Sequence, residues 1–197
     1  APSGAFSVAA SLVCMVFALG DVSGGHFNPA VTTAILAIKK IEAREAVIYW
    51  CAQIVGGILA ACTYTAIYEG KSLGFRKGFG PGEGYGLGEV AAAEIFFTFV
   101  LCFVVLSVAC SPSAGTGSYS EVFGLAIGSC VTVGGFAAGS ISGGSLNPAV
   151  SFAIATEFWA GYYTVFELAG ACAAALVYCL THAAEGEGEE SEKGSGD

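Results

Sequence analysis

Long apolar runs alternate with short polar or glycine-rich breaks along this chain, and the run lengths predict its elements. Apolar stretches occupy residues 5–20, 46–68, 89–110, 121–138 and 162–181. Each approaches or reaches the roughly 20 residues that a helix needs to cross a hydrocarbon core of about 30 Å. Runs this long with so little charge predict membrane-spanning helices. Two shorter runs break the pattern. One follows Asn28 and ends at Lys39 and Lys40, and the other follows Asn147 and breaks around Glu157 and Gly161. About ten residues at about 1.5 Å each cover only half the core, so both predict half-helices that end inside the membrane.

The half-helices open on a duplicated segment. Residues 22–32 read VSGGHFNPAVT and residues 141–151 read ISGGSLNPAVS, with seven of eleven positions identical in register. That marks an internal repeat. Each copy is a small-residue loop, then an Asn suited to cap a helix, then a Pro at the first helical position, where its missing N–H costs nothing. Non-helical backbone is tolerated at membrane depth only where it is packed in protein or lines a cavity. A matched pair of half-helices therefore points to a site near the midplane.

SGGHFNPAVT and SGGSLNPAVS resemble the paired Asn-Pro-Ala boxes of the aquaporins, the major intrinsic protein family of water and small-solute channels. The resemblance implies an all-α membrane protein with an inverted repeat: six spanning helices in full, five of them found here, plus two re-entrant half-helices. It implies that Asn28, Pro29 and Ala30 meet Asn147, Pro148 and Ala149 end to end at the midplane of a pore. Each Asn would turn a side-chain NH2 to the lumen while the helix N-termini add partial positive charge. A water held there accepts both hydrogen bonds through its oxygen and cannot relay a proton, and cations are repelled.

Residues 93–99, AEIFFTF, resemble the family's Glu-x-x-x-Thr-Phe signature, which opens each half. Glu94 stands 53 residues ahead of Asn147 (147 − 94), and the same step back from Asn28 falls before residue 1. A first helix carrying a twin of Glu94 is therefore expected ahead of this sequence. A carboxylate in an apolar span is costly and usually functional or paired. The resemblance makes Glu94 a support that accepts hydrogen bonds from loop backbone, and a proton relay would need titratable neighbours that the sequence does not place beside it. His26 matches a family position that lines the cytoplasmic vestibule, with a packed loop histidine as the alternative.

By the family's register the narrowest constriction falls on Val8, Gly135, Gly144 and Val150. Val150 stands where the family normally has Arg, and none of the four is charged or aromatic. The resemblance then implies a wider, less cationic filter, similar to plant vacuolar aquaporins that carry Val at this place. Water and small neutral solutes such as ammonia, urea and hydrogen peroxide are the expected cargo. Ser151 follows where glycerol facilitators place Asp, which argues against polyols. In the last span the family often has Gly-Pro where this chain has Phe166 and Glu167, and Glu167 is expected to be a snorkelling or vestibule acid.

Composition fits a membrane protein. Hydrophobic residues make up 55% and charged residues 12% of 197, with a mean hydropathy of +0.72, whereas soluble domains carry about 25% charge. The net charge of −9 lies largely in Glu185, Glu187, Glu189, Glu190, Glu192 and Asp197. Residues 1–182 are expected to be the channel domain and residues 183–197 an acidic disordered cytoplasmic tail. The eight cysteines lack metal spacing and are expected to be small buried hydrophobes. No metal, cofactor, catalytic constellation or nucleic-acid partner is expected. The glycine-dense loop of residues 69–88 is expected to be a flexible extramembrane connection, since it lacks the ending of a phosphate loop. Trp159, Tyr162 and Tyr163 are expected to form an interfacial belt.

Lys39, Lys40 and Arg44 put their side in the cytoplasm under the positive-inside rule, although Lys71, Arg76 and Lys77 lie on the opposite side. A plasma or vacuolar membrane is the expected location, and the resemblance implies a homotetramer with one pore per subunit. The alternative from another class is a non-conducting scaffold or adhesion protein. An ion-coupled transporter would want more intramembrane charge than Glu94 alone supplies.

Overall fold

A computed structural model of the chain describes residues 3–68, 80–111, 122–155 and 158–182. Seven α-helices follow one another: α1 (Ser3–Ser23), α2 (Pro29–Ala37), α3 (Ala43–Tyr68), α4 (Leu87–Val105), α5 (Phe123–Ala138), α6 (Pro148–Ile154) and α7 (Trp159–Thr181). A π-helical turn, Leu106–Cys110, prolongs α4. There is no strand among the described residues. This is an all-α membrane fold, in which α1, α3, α4 with its extension, and α7 are long and apolar enough to cross a bilayer. The fifth expected span is α5, whose 16 residues reach about 24 Å. The two half-helices are α2, with 9 residues, and α6, with 7. Neither can cross.

The fold holds most of α2 in its interior, whereas α6 buries Pro148, Ala149 and Ser151 and leaves Phe152 exposed. The residues from Pro29 to Ile35 other than Thr33 are buried, so α2 is largely enclosed by other helices, with the Thr32 hydroxyl hydrogen-bonded inside. Its Ala30, Val31, Ala34 and Ile35 share one core with Leu101 and Val105 of α4 and with Ala171, Ala174 and Ala175 of α7.

Small residues set the helix separations. A Cβ on Gly128 of α5 would lie 2.2 Å from the Val13 side chain of α1, one on Gly170 of α7 would lie 2.5 Å from the Ile95 carbonyl of α4, and one on Gly57 of α3 would lie 2.6 Å from the Ala149 carbonyl of α6. These close approaches replace the hydrophobic drive that lipid cannot supply between helices. Of the adjacent pair Gly56 and Gly57, only Gly57 does this, for Gly56 faces open space. Gly170→Val is expected to push α7 off α4 at a cost of about 1–3 kcal/mol, as overpacking does. A lowered thermal midpoint of the purified protein checks it.

Two expectations about side-chain placement are corrected. Cys14, Cys51, Cys62, Cys172 and Cys179 are exposed, and only Cys102 is fully buried, although all eight are free. They share the outer faces with Phe6, Ile48, Leu59, Val165 and Leu180, where a thiol is apolar enough to meet hydrocarbon. Tyr163 leaves the interfacial belt. Its side chain is buried, and its hydroxyl donates to the Ser142 carbonyl. The acidic tail, most of the glycine-dense loop and the residues that open the α5 run lie outside the described residues.

Candidate functional site

The loops that open α2 and α6 adopt the same conformation. Phe27 and Leu146 have φ of 46° and 54°, a region where bulky residues are strained and persist only when their surroundings hold them. The residue after each is an extended N-cap: Asn28 with φ −154° and Asn147 with φ −154°. Each Asn side chain uses its two ends differently. The Asn28 Oδ1 accepts the Ala30 N–H at 2.8 Å, and the Asn147 Oδ1 accepts the Ala149 N–H at 3.0 Å, which caps the two half-helices. The Asn28 Nδ2 donates to the Leu146 carbonyl at 2.7 Å, and the Asn147 Nδ2 donates to the Phe27 carbonyl at 3.0 Å.

Each cap therefore reaches across to the residue that precedes the other cap. The crossed bonds join the α2 and α6 N-termini head to head and account for the two strained φ angles, because those carbonyls must turn toward the opposite amide. One amide hydrogen of each Asn remains beyond the crossed bond.

A cavity of about 400 Å³ opens beside this junction, and Asn28, Asn147, His26, Val8 and Val150 are on its wall. The remaining wall is mostly apolar, with Leu12, Val31, Ile35, Leu101 and Ile127 among it. Gly135 and Gly144, the other two expected filter positions, are not on this wall but stand next to each other: a Cβ on Gly144 would lie 3.3 Å from the Gly135 Cα, and one on Gly135 would lie 2.8 Å from the Ala5 Cβ of α1. Gly144 also has a φ of +65°. Neither position admits a side chain without a shift of its neighbours. His26 both faces the cavity and is packed, since its ring stacks on Tyr49 at 4.6 Å and its Nδ1 lies 3.1 Å from the Thr32 Oγ1.

Behind the second box, Glu94 is fully buried on α4. Its carboxylate accepts the Ser145 N–H at 3.1 Å, the Leu146 N–H at 2.9 Å and the Ser142 hydroxyl at 2.6 Å. Backbone that no helix satisfies is thus held by a side chain from a neighbouring span.

Glu167 is the correction that matters here. It is fully buried on α7 rather than at a membrane mouth, because α7 presents this face to α6. Its Oε1 accepts the Asn147 N–H at 2.9 Å and the Ser151 hydroxyl at 2.7 Å. The Ser151 hydroxyl is also 2.7 Å from the Ser145 hydroxyl, and Glu94 holds the Ser145 backbone N–H. Glu94 therefore has an acidic neighbour in the same polar network, which the sequence did not place there. No group of three or more His, Cys, Asp or Glu suited to a metal occurs among the described residues.

These features define an integral membrane protein whose two re-entrant half-helices are joined cap to cap on one cavity. Residues 2–178 match the family described as Major intrinsic protein, and the chain belongs to that family. It is 36% identical over 162 residues to "Aquaporin TIP1-2" of Zea mays, which covers 80% of this chain and 62% of that protein. It is 37% identical over 179 residues to "Probable aquaporin TIP3-2" of Arabidopsis thaliana, covering 88% and 65%. With "Probable aquaporin AqpM" of Archaeoglobus fulgidus it shares 33% over 181 residues, covering 86% and 72%. The chain thus spans less than two thirds of the first two. Among solved structures, the aquaglyceroporin from Plasmodium falciparum has the same fold, with a TM-score of 0.65 at 20% identity over 83% of this chain and 73% of that one.

Proposed function

We propose that the protein is a passive transmembrane channel for water and small neutral solutes, with the cavity beside Asn28 and Asn147 as part of its conduction path. The observation that carries this reading is the crossed pair of amide bonds. It fixes two hydrogen-bond donors and two helix N-termini at one place on a mostly apolar wall that also carries His26, Lys40 and Ser145. A water there has its oxygen oriented by fixed donors and its hydrogens turned along the path, an arrangement that carries water and breaks a proton wire. Cations meet the positive ends of α2 and α6 with no carboxylate on the cavity wall to compensate.

Val8 and Val150 on this wall, with Gly135 and Gly144 by the family's register, would form the narrowest part. With no cation and no ring among them, it admits neutral molecules somewhat larger than water, such as ammonia, urea or hydrogen peroxide. Residues 1–182 would make up this channel domain, in a plasma or vacuolar membrane, and the assembly would be a homotetramer in which each subunit conducts for itself.

The test is an osmotic jump on liposomes holding the full chain. They are expected to shrink faster than empty liposomes, and equal rates would refute the reading. Val150→Arg is expected to lower urea entry by about tenfold or more and water flux by less, because it adds both bulk and a charged fork to the wall. Equal losses of both fluxes would remove the four residues from the filter.

A further inference from the structure

The two halves of the molecule build the same polar support behind each box, and the second half builds it with an acid. On α3, Tyr49 donates its hydroxyl to the Ser23 carbonyl at 2.7 Å, and one turn later the Gln53 Nε2 donates to the Thr32 Oγ1 at 2.9 Å. On α7, Tyr163 donates to the Ser142 carbonyl, and one turn later Glu167 accepts from the Ser151 hydroxyl. Ser23 and Ser142, and likewise Thr32 and Ser151, are the same positions of the duplicated segment. The internal repeat therefore pairs Gln53 with Glu167.

We infer that Glu167 is the positioning residue of the second box: its Oε1, held on α7, fixes the Asn147 backbone and the Ser151 side chain and so aims the Asn147 amide at the Phe27 carbonyl. One carboxylate oxygen grips α6 at two points a turn apart, the cap N–H at 2.9 Å and the Ser151 hydroxyl at 2.7 Å. The other, Oε2, is buried with no hydrogen-bond partner among the described residues. A buried carboxylate oxygen without a partner is costly, so this acid is kept for what Oε1 holds. The grip is needed because α6 has only 7 residues, too few to be stable without its packing and caps. Its last turn is also not secured by a basic residue. In the first half the matching Gln53 reaches only the Thr32 hydroxyl, as a donor, and its own Oε1 has no hydrogen-bond partner among the described residues.

This rests on the channel reading for its flux measurement, and hydrogen exchange tests it separately. The full chain, Glu167→Leu and Glu167→Gln are compared in liposomes, with flux normalised to folded protein. Glu167→Leu removes both acceptors at similar volume and is expected to lower water flux about tenfold or more. Glu167→Gln keeps one acceptor oxygen for the cap N–H and the Ser151 hydroxyl, so it is expected to stay within about threefold of wild type. Wild-type flux in the Leu variant, or a Gln variant as impaired as the Leu variant, would overturn the inference.

Exchange at residues 145–151 gives a readout that does not depend on conduction. Protection is expected to fall sharply in Glu167→Leu and to be retained in Glu167→Gln. If the Leu variant does not fold, the Gln variant alone decides: retained protection supports the assignment, and exchange freed across the segment overturns it. A wild-type protein that exchanges as expected yet does not conduct would refute the channel and leave the inference standing.

Discussion

Glu94→Leu is expected to leave little folded protein. The substitution strips the acceptor from the Ser145 N–H, the Leu146 N–H and the Ser142 hydroxyl, and Ser142 and Leu146 are buried from bulk water. Each buried donor left without a partner costs about 1–3 kcal/mol. Three together cost on the order of 5 kcal/mol, comparable with the whole net stability of many domains. Glu94→Gln keeps one acceptor oxygen and should fall between, at about 1–3 kcal/mol. The yield of monodisperse protein and the thermal midpoint in detergent check the order wild type, Gln, Leu. A Leu variant as stable as wild type would mean that the loop holds itself.

The second large effect is on selectivity rather than stability. Asp caps a helix as well as Asn does, so Asn28→Asp and Asn147→Asp keep the bonds to Ala30 and Ala149. They lose the crossed donors, and a carboxylate would face the Leu146 or Phe27 carbonyl across a gap of 2.7 or 3.0 Å. Two acceptors repel at that distance, so the half-helix N-termini should part. The added charge also reverses the sign of the field that α2 and α6 present to the cavity. Proton and cation leak through the double variant is expected to rise about tenfold or more, since even about 1.4 kcal/mol of lost barrier is that large a factor. Water flux should fall by less. A pH-sensitive dye inside the liposomes reads the leak, and a double variant as proton-tight as wild type would separate the amides from selectivity.

Most of this architecture is written locally in the chain. Apolar run lengths locate the spans, and the duplicated Asn-Pro segments locate both half-helices and their caps, because capping and the N1 proline are properties of three or four neighbouring residues. What was not legible depends on which helix faces which. Glu167 looks like a membrane-mouth acid when it is counted along one helix. It becomes a buried support only because Gly170 lets α7 approach α4 and because α7 also lines α6. Tyr163 reads as an interfacial ring for the same reason.

A signal was nevertheless present: Tyr49 and Gln53 on α3 and Tyr163 and Glu167 on α7 repeat a four-residue spacing in matching spans. Only the bonds to the equivalent positions Thr32 and Ser151 give that spacing a meaning. The exposed cysteines show a further limit. A hydropathy pattern marks a residue as apolar, and in a bilayer an apolar residue can satisfy itself on the outside as well as in the core.

The most direct test of the account records water and proton movement in the same liposomes, reconstituted with the full wild-type chain, after one jump in osmolarity and pH. Joined caps beside a path that carries no carboxylate predict water flux well above that of empty liposomes, with proton flux no higher than theirs. Water flux at the empty-liposome rate, or protons that follow the water, would contradict it.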